Sequence, residues 1–239
     1  MSSTRKIAVI TGVLFILATL TGPLLATPLT ADLTAADTLV RFSEQTNQAA
    51  AGVLLWLISA FAGAGIAIAM YPVLKEQNPG LAIGSVIFRT IEAAFYLVGK
   101  VSLLSLLTLG QQFRAAGAAE RPALEAVGNL LVSVYDHAGL VAVFSFCLGA
   151  YMYYTLLFQA RLIPRWLSGF GVVAITLLLT ACVLALFSGN LITSYIPLAA
   201  PIAVQEIILG VWLIAKGFNP SAGAPLSAQR ATNKLLSAA

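Results

Sequence analysis

Ionisable residues set inside apolar runs are where this sequence could do chemistry. Arg89 and Glu92 stand three apart in a long apolar segment, and Tyr96 and Lys100 continue the same helical face at intervals of four. Glu206 is a carboxylate in a later apolar segment. An ionised side chain at the centre of a bilayer costs at least about 2.5 to 3.5 kcal/mol, so such residues are kept for structure or for function. At about 1.5 Å per helical residue, Arg89 lies about 12 Å into its segment and Glu92 about 16 Å, while Glu206 lies about 15 Å from the end marked by Lys216. The three therefore share one layer near the midplane, where one arginine against two glutamates leaves a surplus negative charge. Such a surplus is relieved by uptake of a proton or by a cationic ligand. A second group, Lys100 with Asp136 and His137, lies toward the opposite end of the same helices. Neighbouring helical residues point about 100° apart, so Asp136 and His137 cannot both face Lys100. A Lys100–Asp136 pair is the simpler expectation, with His137 an interfacial hydrogen-bonding side chain or a pH-sensitive one.

Many chemistries are excluded by what the chain lacks. His137 is the single histidine, whereas bis-histidine haem, zinc and di-iron sites need more than one. Cys147 and Cys182 sit in apolar runs without ligand spacing and read as small core residues. No metal and no cofactor are expected. There is no phosphate-binding glycine loop and no nucleophile elbow. The net charge of +4 is spread over scattered Lys and Arg rather than a basic stripe, which argues against a nucleic-acid partner.

The elements that must hold these residues are transmembrane helices. Hydrophobic residues make up 59% of the chain and charged ones 9%, against roughly a quarter charged in soluble domains, so the lipid bilayer is the expected solvent. Six spans are read, over residues 7–27, 51–74, 81–113, 125–160, 166–187 and 196–215, as an all-α integral membrane bundle within residues 1–216. The first resembles a signal peptide after Arg5 and Lys6 but is long enough to span. Residues 28–50 are too polar to cross and suggest a short interfacial helix carrying Leu33, Leu39, Val40 and Phe42. Spans three and four are about 50 Å long against a hydrocarbon core of about 30 Å. They predict a helix 3–helix 4 hairpin projecting on the external side, its tip near residues 111–123, with Leu103, Leu107, Leu130 and Leu131 between its helices. Residues 217–239 read as a disordered cytoplasmic tail. Arg5, Lys6, Lys75, Arg161, Arg165, Lys216, Arg230 and Lys234 fall on one side, against Arg41, Arg114 and Arg121 on the other. By the positive-inside rule both termini are cytoplasmic, and the expected location is the cell inner membrane. Trp56, Tyr71, Trp166, Tyr195 and Trp212 fall near span ends, as an aromatic belt would.

Three stretches carry a family resemblance: Phe88-Arg89-Thr90-Ile91-Glu92-Ala93, the segment from Arg161 to Gly169 (RLIPRWLSG), and that from Glu206 to Gly217 (EIILGVWLIAKG). They resemble the bacterial multi-pass membrane family termed domain of unknown function 4386, from the first helix to about Gly217. In that family an Arg-x-x-Glu and a late Glu recur, matching Arg89, Glu92 and Glu206. The resemblance implies the topology and no activity. Three functions stay open on the residues. The midplane cluster could bind a small or lipid-like ligand or relay protons through Arg89, Glu92, Glu206 and Tyr96. It could instead be purely structural, in an accessory module. Or a neutral glutamic acid could serve an intramembrane cyclase or isomerase, given an aromatic chamber built from Phe88, Phe95, Tyr96 and Trp212.

Overall fold

The computed structural model describes residues 3–30 and 35–219, and every regular element among them is helical. Eight α-helices follow in order: α1 Ser3–Thr19, α2 Thr27–Thr30, α3 Ala35–Glu44, α4 Thr46–Leu74, α5 Pro79–Ala115, α6 Arg121–Gln159, α7 Arg165–Ser188 and α8 Ile196–Ala215. A π-helical segment, Leu20–Ala26, joins α1 to α2, and a 3-10 turn, Ile192–Tyr195, leads into α8. Six of the resulting stretches are long and apolar enough to cross a membrane: Ser3–Thr30, α4, α5, α6, α7 and Ile192–Ala215.

Local chemistry sets the ends. Pro23 sits in the π-helical segment, where it has no N–H to donate, and the widened turn closes with the Thr27 N–H on the Gly22 carbonyl. Asn78 caps α5 by accepting from the Leu81 N–H at 3.0 Å. Pro79 and Gly80, which the sequence suggested as a breaker before a helix at 81, thus form the first turn of that helix, a place proline tolerates. Gly189 ends α7 at φ 71°, in the left-handed region that glycine enters without strain.

The six long stretches pack as a closed ring in chain order, each against its sequence neighbour and α8 back against α1. Gly12 and Gly210 allow the closing contact: a Cβ at Gly12 would stand 2.6 Å from the Gly210 carbonyl oxygen. Arg5 locks the same seam by donating to the Leu213 carbonyl at 3.0 Å and to those of Ile214 and Ala215, groups that the end of α8 leaves without helical partners. The first and last long helices therefore meet at one end of the bundle. Outward faces carry apolar side chains such as Ile10, Leu54, Ile87, Val173 and Val211.

Two cores result. The larger fills the ring around Phe15, Ile66, Met70, Tyr153 and Leu209. The smaller lies where α3 crosses the far ends of α5 and α6, burying Leu39, Phe42, Leu103, Leu106 and Phe113. Gly110 lets α3 approach closely, since a Cβ there would meet the Leu39 carbonyl oxygen at 2.9 Å.

Several details differ from the sequence reading. Leu103 and Leu107 are buried in the hairpin and Leu131 packs against it, but Leu130 is 65% exposed, because the α5-facing side of α6 is the one holding Leu131 and Tyr135. Val40 also points outward, whereas Leu33 lies outside the described residues. Trp56 is no belt residue: α4 begins five residues earlier than expected, and the indole is buried with its N–H on the Thr30 hydroxyl at 3.1 Å. Asn219 donates its backbone N–H to Leu162 at 2.7 Å and Phe218 is buried, so ordered packing continues past 217. The rest of the expected tail, 220–239, lies outside the described residues.

Candidate functional site

Arg89 and Lys100 lie on one face of α5, and each is almost fully buried. Arg89 is surrounded on every side. Its Nη1 is 2.8 Å from the Glu92 carboxylate, an ion contact rather than an aligned hydrogen bond. Its Nε donates to the Gly63 carbonyl of α4 at 3.1 Å, and the guanidinium lies 4.6 Å from the centre of the Phe146 ring of α6. Room for so large a side chain comes from two glycines. A Cβ at Gly63 would stand 2.9 Å from Nη2, and one at Gly149 would stand 3.0 Å from Cγ and 3.2 Å from the Arg89 backbone nitrogen. Glu206 sits across this layer, within electrostatic reach of Arg89 and Glu92, and accepts a hydrogen bond from the Thr19 hydroxyl at 2.7 Å. Glu206 thus shares the layer with Arg89 while its hydrogen bond goes to α1. One residue earlier, Gln205 accepts from the Tyr154 hydroxyl of α6 and donates to the Leu167 carbonyl of α7 at 3.2 Å. The layer thus ties all six long helices by polar contacts through groups hidden from water, where such contacts strengthen.

Lys100 is held differently. Its ammonium lies 4.1 Å from the Trp56 ring centre and 4.4 Å from that of Tyr135, and the side chain is 3% exposed. Tyr96, one turn below, packs on Trp56 with ring centres 5.1 Å apart. Beside these groups is a cavity of about 180 Å³, walled by Trp56, Phe95, Tyr96, Lys100, Tyr135 and Asp136. Residues 191–193 also line it, at the end of the bundle opposite Arg5. Gly139 and Gly99 also face the cavity, and a Cβ at Gly139 would meet nothing within 4 Å. A lysine over two aromatic faces is stabilised by about 0.5 to 2 kcal/mol per contact, depending on how dry it is. Lys100 and Asp136 both line this cavity. His137 is exposed, with Nδ1 3.1 Å from the Ser133 hydroxyl, and faces a second cleft that Asp136 also borders.

The four aromatic candidates for a reaction chamber do not gather around one carboxyl. Phe95 and Tyr96 line the cavity near Lys100, Phe88 backs onto Gly149, and Trp212 pairs edge-on with Trp166, ring centres 6.5 Å apart, near the Arg165 end of α7. Side chains that serve the two sites and were not candidates are those of Thr19, Tyr135, Phe146, Tyr154 and Gln205, together with the close approach at Gly149. Gln205 beside Glu206 and the Tyr153–Tyr154 pair were visible as polar interruptions of apolar runs.

Fold and site together define a helical membrane protein with a buried ionic layer and, one to three turns away, an aromatic-walled cavity. The chain belongs to the family described as "Domain of unknown function (DUF4386)", whose model matches residues 10–217. No curated protein and no solved structure matches it.

Proposed function

We propose that this is a multi-pass inner-membrane protein that binds one small amphipathic, lipid-like molecule in the cavity beside Lys100, while the Arg89–Glu92–Glu206 layer holds the bundle around it. The observation that carries the reading is the combination of volume and chemistry at one place. A cavity of about 150 Å³ with apolar walls accepts a benzene-sized molecule. The 180 Å³ beside Lys100 is comparable in size, lined by aromatic rings, and furnished with one buried cation. An acidic head group against Lys100, with its apolar part along Trp56, Phe95 and Tyr96, fits both features. Around the Arg89 guanidinium, by contrast, glycine backbones, a ring and a carboxylate fill the space.

Orientation follows the charge bias. Arg5, Lys6, Lys75, Arg161, Arg165 and Lys216 support a cytoplasmic location for that end, which puts the Lys100 cavity and the α5–α6 hairpin toward the outside. An impermeant thiol reagent should then fail to label a cysteine at Asn78 in intact cells, in a background lacking Cys147 and Cys182. Labelling there would invert the topology.

Trp56 offers a direct assay of the cavity. In protein carrying Trp166→Phe and Trp212→Phe, in phosphatidylcholine nanodiscs, 11-bromoundecanoate should quench Trp56 fluorescence saturably. Lys100→Met should weaken that binding about tenfold or more, and the neutral alcohol of the same chain should bind the parent as poorly. Linear, non-saturating quenching in the parent would refute the proposal.

A further inference from the structure

The end of the bundle opposite the Lys100 cavity carries a further concavity, independent of the reading above. About 480 Å³ opens between the α6–α7 turn and the end of α8, and Arg161, Arg165 and Lys216 all line it. No carboxylate is among its lining residues, and among the described residues none of the three cations forms an ion pair. All three side chains are solvent-exposed, so the charge is available, and three like charges around one hollow repel one another until an anion joins them.

The hollow is built rather than incidental. Arg161 is the one non-glycine among the described residues with positive φ, at 53°. That conformation is costly for a side-chain-bearing residue and is fixed here from several sides: Asn219 donates Nδ2 to the Arg161 carbonyl at 3.4 Å and its backbone N–H to Leu162, and Phe218 is buried beside the turn. α7 begins at Arg165 after Pro164, without a side-chain cap, so its first amides also add positive character. Arg5 at the same end is committed to α8 carbonyls, which separates its role from that of the three cations.

The surroundings point to a lipid as the source of the anion. Trp166 is exposed and meets Trp212 edge-on, and Trp212 itself lines the hollow. Arg165 also lies 5.5 Å from the ring of the exposed Phe158. Indoles at the end of apolar spans mark the head-group level, and basic hollows between helices at that level suit phosphate head groups. We infer that Arg161, Arg165 and Lys216 form a binding site for the phosphate of an acidic phospholipid, with its acyl chains descending past Trp166.

The test uses the full-length chain with Trp56→Phe in phosphatidylcholine nanodiscs doped with brominated phosphatidylglycerol or, in parallel, brominated phosphatidylcholine. Phosphatidylglycerol should quench Trp166 and Trp212 with a preference of about tenfold or more. The preference should vanish in R161Q/R165Q/K216Q, survive in R161K/R165K/K216R, and survive in K6Q/K75Q, which removes charge from the same end. Survival in the glutamine triple, or equal quenching by both lipids in the parent, overturns the site. If millimolar inorganic phosphate abolishes the preference, the hollow takes free phosphate and the lipid assignment fails. A glutamine triple that unfolds is replaced by R161Q/K216Q, with the same expected loss in smaller measure.

Discussion

Arg89 and Lys100 are two cations buried on the same face of one helix, about three turns apart, and the protein treats them in opposite ways. Arg89 is enclosed by a carboxylate, a carbonyl, an aromatic ring and two glycine backbones. Lys100 is steadied by two aromatic rings and opens on a cavity. A buried charge with all its surroundings filled acts as a joint between helices, because moving any neighbour leaves it unsatisfied. A buried charge next to open, apolar-walled volume keeps an unfilled direction in which a second molecule can meet it. Depth and burial alone would not distinguish the two residues; the space beside each one does.

The comparison breaks first at Arg89. Arg89→Ala leaves Glu92 buried without its counter-charge and is expected to cost about 3 to 5 kcal/mol. Thermal unfolding in detergent should show it as a fall of about 10 °C or more. Arg89→Lys should restore little, since a single ammonium cannot replace the planar fork that reaches both Gly63 and Glu92. By contrast Glu206→Gln keeps an oxygen for the Thr19 hydroxyl and should cost less than about 1 kcal/mol. A Glu206→Gln protein as unstable as Arg89→Ala would mean that the second carboxylate, not Glu92, balances the arginine.

Two glycines on α6 sharpen the contrast at smaller cost. At Gly149 an added side chain runs into the Arg89 backbone and Cγ, so Gly149→Leu should destabilise by about 1 to 3 kcal/mol through overpacking. Calorimetry of the variant beside the parent reads the difference. An unchanged unfolding temperature would show that the seat for Arg89 is looser than 3.0 Å implies.

What was legible in the sequence is what the helical period controls. The three-residue spacing of Arg89 and Glu92, their continuation to Tyr96 and Lys100, and the shared depth of Glu206 all follow from rise and angle per residue. The partners on other helices were not legible. Gly63, Phe146, Gly149 and Thr19 meet the cluster only because of how α1, α4 and α6 are rotated about their axes. In a chain whose outward face is as apolar as its inward one, periodicity says little about that rotation, as Leu130 facing outward and Trp56 facing inward both show. The cavity beside Lys100 depends on five separate stretches meeting, at Thr27, Trp56, Tyr96, Tyr135 and residues 191–193, and no local pattern marks it.

Gly139 tests the division between joint and site most directly. It lies on the cavity wall, where an added Cβ meets nothing within 4 Å, so a larger side chain would occupy the space proposed for the ligand without disturbing the Arg89 layer. Gly139→Leu should unfold within a few degrees of the parent, since relief of a helical glycine offsets modest crowding by about 0.5 to 1 kcal/mol. In the same protein, saturable quenching of Trp56 by 11-bromoundecanoate should disappear. Saturable quenching that persists in folded Gly139→Leu protein would contradict the assignment of the cavity as the binding site.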